Sequence, residues 1–145
     1  MASQYGLTKM GYEAQLFYGT AGSTGATQIT NCVDLEYNMD PETGDTSTRG
    51  DGTTVPIATE KVTALKPEIT FKMLNRSSDT TLAALLAAAF TGAAVAMRTK
   101  SYSSGKGYDG DVNVKVKQGA PLKGEATYEF TCTANDQLRD PSIWV

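Results

Sequence analysis

One stretch, Ser78–Gly92, carries a convincing helical period, and the rest of the chain reads as strands and turns that must pack around it. Leu82, Leu85, Leu86, Ala89 and Phe90 recur at helical spacing and fall on one face. Ser77 or Ser78 is placed to cap the first free amides, and Asp79 adds charge where the helix dipole favours it. Gly92 can take the left-handed conformation that ends the helix. These signals predict a single helix over 78–91. Its reverse face is alanine, with Ala84 and Ala88 on it, and no charge occurs between Thr80 and Met97. A solvated helix ordinarily carries Lys or Glu there, so this back is expected to be covered.

Around the helix the pattern alternates. Tyr12–Tyr18 reads as a first strand, and Gln28–Met39 as a second whose apolar phase shifts near Asn31–Cys32, the mark of a bulge. Short strands are expected within Val55–Ala64, and clearer ones over Lys66–Leu74 and Ala93–Thr99. The last third holds the best pair: Val112, Val114 and Val116, then Ala126, Tyr128, Phe130 and Cys132, each alternating with polar residues. A hairpin that keeps both apolar faces together pairs odd positions with odd ones. That sets Lys115 or Lys117 opposite Glu125 and Asn113 near Thr127 or Glu129, a polar face with compensated charge. The expected fold is mainly β: one antiparallel β-sandwich or half-barrel domain over 1–145, flanked by one helix. Residues 1–11 read as an N-terminal arm and 134–145 as a C-terminal arm that docks through Ile143 and Trp144.

Asp40–Thr54 is the longest stretch without apolar period and is expected to be a functional loop between two strands. Asp40, Glu42, Asp45 and Asp51 against Arg49 make it acidic, whereas Arg98–Gly124 is basic. The two are suited to meet across a self-interface, although two solvated surfaces would give the same counts. Tyr102 and Tyr108 lie in a second Gly-rich loop, where anchoring to the surface is favoured over stacking on a ligand. Arg49-Gly50-Asp51 spells an adhesion tripeptide, but three residues in a Gly/Asp-rich loop recur by chance.

Composition narrows the chemistry. The chain has 145 residues, a net charge of −3 and no histidine. Without histidine, Ser-His-Asp and Cys-His catalysis and most zinc sites are unavailable. Asp45/Asp51 and Asp109/Asp111 are carboxylate pairs in Gly-rich turns, where local backbone bonding explains them, and Asp109-Gly110-Asp111 lacks the spacing of a calcium loop. No catalytic residue, metal or cofactor is expected. Cys32 and Cys132 match no metal or redox spacing; both face inward by phase and are expected as neighbouring thiols, with no disulfide. No signal peptide and no membrane span are expected.

The order of features resembles the tail tube proteins of long-tailed bacteriophages. The likeness rests on Val33–Tyr37, the Thr46-Ser47-Thr48-Arg49-Gly50 turn, Ile69–Met73, the helix Ser78–Phe90 and the closing hairpin Val112–Cys132. It covers most of the chain through arrangement and soft motifs. The resemblance implies a structural virion protein whose subunits join their inner sheets into hexameric rings that stack into a hollow, DNA-conducting tube. It implies synthesis in the host cytoplasm and residence in the tail. The partners would be the chain itself, a tape measure, a terminator and distal tail proteins, with DNA passing unbound. On this reading Asp40, Glu42, Asp45, Arg49 and Asp51 serve ring stacking, and Ala84 and Ala88 meet a neighbouring subunit. Asn113, Lys115, Lys117, Glu125, Thr127 and Glu129 are candidates for a near-neutral to acidic lumen face. A monomeric Ig-like binding module is the alternative; it accounts for the β content but not for the uncharged helix.

Overall fold

The computed structural model describes residues 8–145, so most of the expected N-terminal arm lies outside the described residues. After a short 3-10 turn at Gly11–Glu13 come β1 (Gln15–Thr20), β2 (Thr27–Gln28), β3 (Cys32–Asp45) and β4 (Glu60–Leu74). The helix α1 (Thr80–Thr91) follows, then β5 (Val95–Lys100), β6 (Asp109–Gly119) and β7 (Thr127–Asn135). All seven strands belong to one antiparallel sheet ordered β2-β1-β5-β6-β7-β4-β3. β2 and β3 are its opposite edges, yet only Ile29, Thr30 and Asn31 separate them in sequence. Four peptide steps span at most about 14 Å, so the sheet must curl until its edges approach. The result is a half-barrel.

Alternation decides what the curl encloses. Ile69, Phe71 and Met73 of β4, Phe130 and Cys132 of β7, Val112 of β6 and Met97 of β5 all point inward and are buried. Phe71 and Phe130 stack at 5.0 Å between ring centroids. Leu82 and Leu85 of α1 close the open side. Asp79, and not Ser77 or Ser78, caps the helix: its carboxylate accepts from Thr81 N and Leu82 N and also holds the Asn31 amide at 3.0 Å. Gly92 ends the helix at φ +76°, as its residue type predicts.

Several sequence boundaries move. β1 begins at Gln15, because Glu13 turns back to accept from Met10 N and draws Tyr12 into the 3-10 turn. The expected bulge is present as a register shift between Cys32 and Leu35. Val55–Ala64 does not form separate strands: β4 is continuous from Glu60. The loop expected over 40–54 is largely strand, since Asp40–Asp45 pair with Lys66–Glu60 and the connection covers only 46–59. Main-chain pairing supplied by β4 overrides a polar sequence that carries no apolar period. The closing hairpin keeps its odd-with-odd parity, but the register differs. Lys117 faces Glu129, Lys115 faces Thr131 and Asn113 faces Thr133, while Glu125 lies before β7 in the connection.

Candidate assembly surfaces

Besides the two-residue edge strand β2, two strands of the half-barrel present an open edge among the described residues. β3 is bonded on one side by β4 and has no partner on its other side among the described residues. β6 pairs with β5 only from Asp109 to Val112, so Asn113–Gly119 are open on that side among the described residues. The reason is local: the residues that would extend β5 alongside them are the end of α1 and its Gly92 terminator. Open ladders of this length are association sites unless they are covered.

The polar face of the sheet runs between these two edges. Its cross-strand rows are Glu36–Thr70–Thr131–Lys115 and Asn38–Glu68–Thr133–Asn113, with Lys72–Glu129–Lys117 beside them. Of the residues expected there, Asn113, Lys115 and Lys117 are exposed, and Thr127 and Glu129 half-buried. Glu125 does not join the face.

Beyond the sheet body, β3 and β4 continue as a projecting hairpin. Asp40, Glu42 and Asp45 stand on its strand, not in a loop, and Glu42 forms an ion pair with Lys66 across the ladder. That contact raises the Lys66 pKa. At the tip Asp45 accepts from Ser47 N at 2.8 Å and Asp51 from Thr53 N at 2.9 Å, which holds both carboxyls below their usual range. Gly50 and Gly52 supply the positive φ values of the turn. These aspartates shape the tip. The tip also exposes Val55 and Ile57 almost fully, at 86% and 82%.

On α1 the buried face is Leu82, Leu85 and Ala88, with Leu86 and Ala89 half-buried. Ala88, expected on the free back, is buried at 6% exposure, and Phe90, expected in the core, is 78% exposed. Ala83, Ala84, Ala87 and Phe90 therefore make an exposed, uncharged stripe. Ala84 lies where the sequence put it.

The C-terminal segment folds back on its own subunit. Val145 exchanges both backbone bonds with Gly107 at 3.0 Å, and Ser142 does the same with Asp109 at 2.8 Å. Tyr37 donates its hydroxyl to Ile143 O at 2.6 Å. Arg139 donates through Nε to Asp111 and through Nη1 to Asp109, both at 3.1 Å. Burial lowers the Arg139 pKa, but the two carboxylates outweigh it and the net shift is upward. Asp111, fully buried, also accepts from Gly22 N through both oxygens. The segment approaches so closely that a Cβ on Gly110 would sit 2.9 Å from Pro141 Cα. Ile143 thus packs on the core of its own chain, whereas Trp144 stays 60% exposed. Tyr108 is a buried anchor, its hydroxyl donating to Asp111 O at 2.8 Å.

A cleft of about 720 Å³ lies between the two sheet edges, lined among others by Leu16, Ile29 and Phe71 and by Lys72 beside Glu129. Among the described residues no group of three metal-ligating side chains occurs. The thiols are not neighbours. Cys32 pairs with Met73 and Cys132 with Ile69 on β4, four residues apart, which separates them by about 13 Å along the strand.

No protein-family model matches the chain, and no curated protein matches it in sequence. Solved structures do match. The tail of an empty gene transfer agent particle, computed with helical refinement in C6 symmetry, superposes with a TM-score of 0.74 at 15% identity. The match covers 94% of this chain and 98% of that one. This chain has the tail-tube fold. The virion of a native gene transfer agent particle gives TM-score 0.69 at 13% identity, with the same coverages of 94% and 98%. The SPP1 tail tube gives 0.62 at 7%, covering 87% of this chain and 75% of that one. At such identities the likeness is one of fold, with few shared side chains. The sequence reading missed the open half of β6. The helix stop at Gly92, which limits how far β5 can extend, was legible; the register Val95↔Val112, which leaves Asn113–Gly119 open, was not.

Proposed function

We propose that this chain is a structural subunit that closes into rings, six copies to a ring, which stack into the hollow tail tube of a phage-like particle. The observation that carries the reading is the pair of open ladders, β3 and Asn113–Gly119, on opposite sides of one four-strand panel, β3-β4-β7-β6. Joining one to the other in successive copies removes every open edge of that panel when the ring closes. The tail-tube fold of assembled tails supports the same reading.

In such a ring the polar face of the panel would line the lumen. Alternation puts Glu36, Asp40, Glu42, Glu68 and Glu129 on it, against Lys66, Lys72, Lys115 and Lys117. Five carboxylates against four lysines leave the wall close to neutral. Phosphates passing along it would release few counterions and be held weakly, which suits a conduit. The projecting hairpin, with Val55 and Ile57 at its tip, would reach the next ring, and the Ala83–Phe90 stripe and Trp144 would be covered by neighbours. The role is mechanical, without catalysis or cofactor; tape measure, terminator and distal tail proteins would complete the tail.

Negative-stain microscopy and light scattering of the purified chain test this. Rings or hollow tubes are expected at high concentration. Isolated globules at every concentration and salt tried would reject the reading in favour of a monomeric binding module.

A further inference from the structure

We propose that the lateral contact is chosen by charge, the acidic β3 edge of one copy accepting the basic β6 edge of the next, so that copies join head to tail and like edges repel. The inference rests on the ring reading above and adds what selects the contact. β3 carries Asp34, Glu36, Asp40, Glu42 and Asp45 and no Lys or Arg. The open part of β6, Asn113–Gly119, carries Lys115 and Lys117 and no acid. Each of these charges except Glu42, which holds Lys66, is without an ion-pair partner among the described residues.

Direction and face agree with the charge. Through the antiparallel order β3-β4-β7-β6, β6 runs opposite to β3. A copy rotated about an axis along the strands therefore presents its β6 antiparallel to its neighbour's β3, and the ladder continues without a break. Glu36 and Lys115 end one cross-strand row on one face, with only Thr70 and Thr131 between them. In an unstaggered junction Lys115 meets the neighbour's Glu36 and Asn113 meets its Asn38. An even-residue stagger, which keeps the faces aligned, brings Asp40 or Glu42 into reach instead.

The alternatives are penalised by the same residues. Two β3 edges laid together would oppose carboxylate with carboxylate, and two β6 edges lysine with lysine, each unfavourable at direct cross-strand positions. Exposed pairs contribute little attraction, so the charges act on which edge is accepted and how fast, more than on total affinity. An open ladder that would otherwise pair with any strand is thereby restricted to one partner, the opposite edge of a second copy.

The test uses the full chain with two charge-reversed variants, Lys115→Glu/Lys117→Glu and Asp34→Lys/Glu36→Lys. All four positions are exposed, so both variants are expected to keep the wild-type circular dichroism and melting behaviour. Alone, each opposes like charges at the unstaggered junction, where positions 34 and 36 lie nearest 117 and 115, and is expected to need about tenfold more protein to assemble. Mixed in equal amounts, each supplies the edge the other lacks, and rings of alternating copies are expected in one-to-one composition. The chain with all four reversals is expected to assemble like wild type. Folded variants that assemble like wild type on their own, or a mixture no better than its parts, would overturn the charge selection while wild-type tubes leave the ring reading standing. A wild-type chain that never assembles would refute the ring reading and this proposal with it.

Discussion

Asp111 fixes the C-terminal segment through bonds that no solvent replaces. Replacing it by alanine leaves Arg139 Nε and the Gly22 amide without their acceptor in a largely buried site, with Asp109 alone still holding the guanidinium. Breaking a buried charged pair from one side costs about 3–5 kcal/mol. Asp111→Ala should therefore lower the urea midpoint by a corresponding amount and expose the 136–145 segment to proteolysis. A change below about 0.5 kcal/mol, the range of ordinary surface substitutions, would show that the cluster does not hold the segment. The thiols make a second residue-scale prediction. Burial lifts Cys132 from 9.0 to about 12; burial first, and then Asp34, lift Cys32 to about 11. Each folded pKa lies above the unfolded one, so the stability tied to it is complete below pH 9 and is lost as pH rises through the folded value. Tyr108, raised by burial, acts in the same direction. The melting temperature should fall progressively above pH 9, and Cys132→Ala should flatten that fall. Neither thiol should react with a disulfide reagent at pH 8 until the chain is unfolded. The inward phase of the thiols was legible in sequence, but the Asp111 cluster was not, because Asp111 read as a turn aspartate until Arg139 and Gly22 were brought to it from either end of the chain.

At the scale of the element, α1 was legible in place, length and terminator, and misjudged in rotation. The sequence put Leu82, Leu85, Leu86, Ala89 and Phe90 on its buried face; packing against β6 turns the centre of that face by roughly 60° toward Ala88. Leu85, buried on either reading, should cost about 2–5 kcal/mol when replaced by alanine. Ala84 and Ala88 then part company. Ala84→Glu should leave the monomer's melt unchanged and weaken assembly, whereas Ala88→Glu should unfold the chain, because the carboxylate would enter the core. Calorimetry with sedimentation separates the two effects. Equal melts for both variants would place Ala88 outside the core. Phe90 gives the physical reason to expect a cover over the stripe, since burying a phenylalanine side chain contributes about 1.5–3 kcal/mol that the isolated subunit forgoes.

The whole molecule divides into a body that stands alone and a hairpin that does not need the body's core. Deleting residues 47–58 and rejoining Thr46 to Thr59, whose backbone and hydroxyls already meet, removes only exposed residues. The shortened chain should melt as the full one does and, if the hairpin stacks rings, give single rings in place of tubes by microscopy. Tubes of ordinary length would show that stacking lies elsewhere. By itself the sequence determined the strand count within one or two, the parity of the β6–β7 pair, the helix and its stop at Gly92, since alternation, helical period and a left-handed glycine are local properties of neighbouring residues. It also determined what chemistry is excluded by the lack of histidine. Only the tertiary structure decided the register of the hairpins, the conversion of Asp40–Asp45 from loop to edge strand, the separation of the thiols and the docking of Ile143 on its own chain. Those depend on which distant strand supplies the missing hydrogen bonds, and a polar stretch such as Asp40–Asp45 carries no period of its own to announce that β4 will be there to bind it.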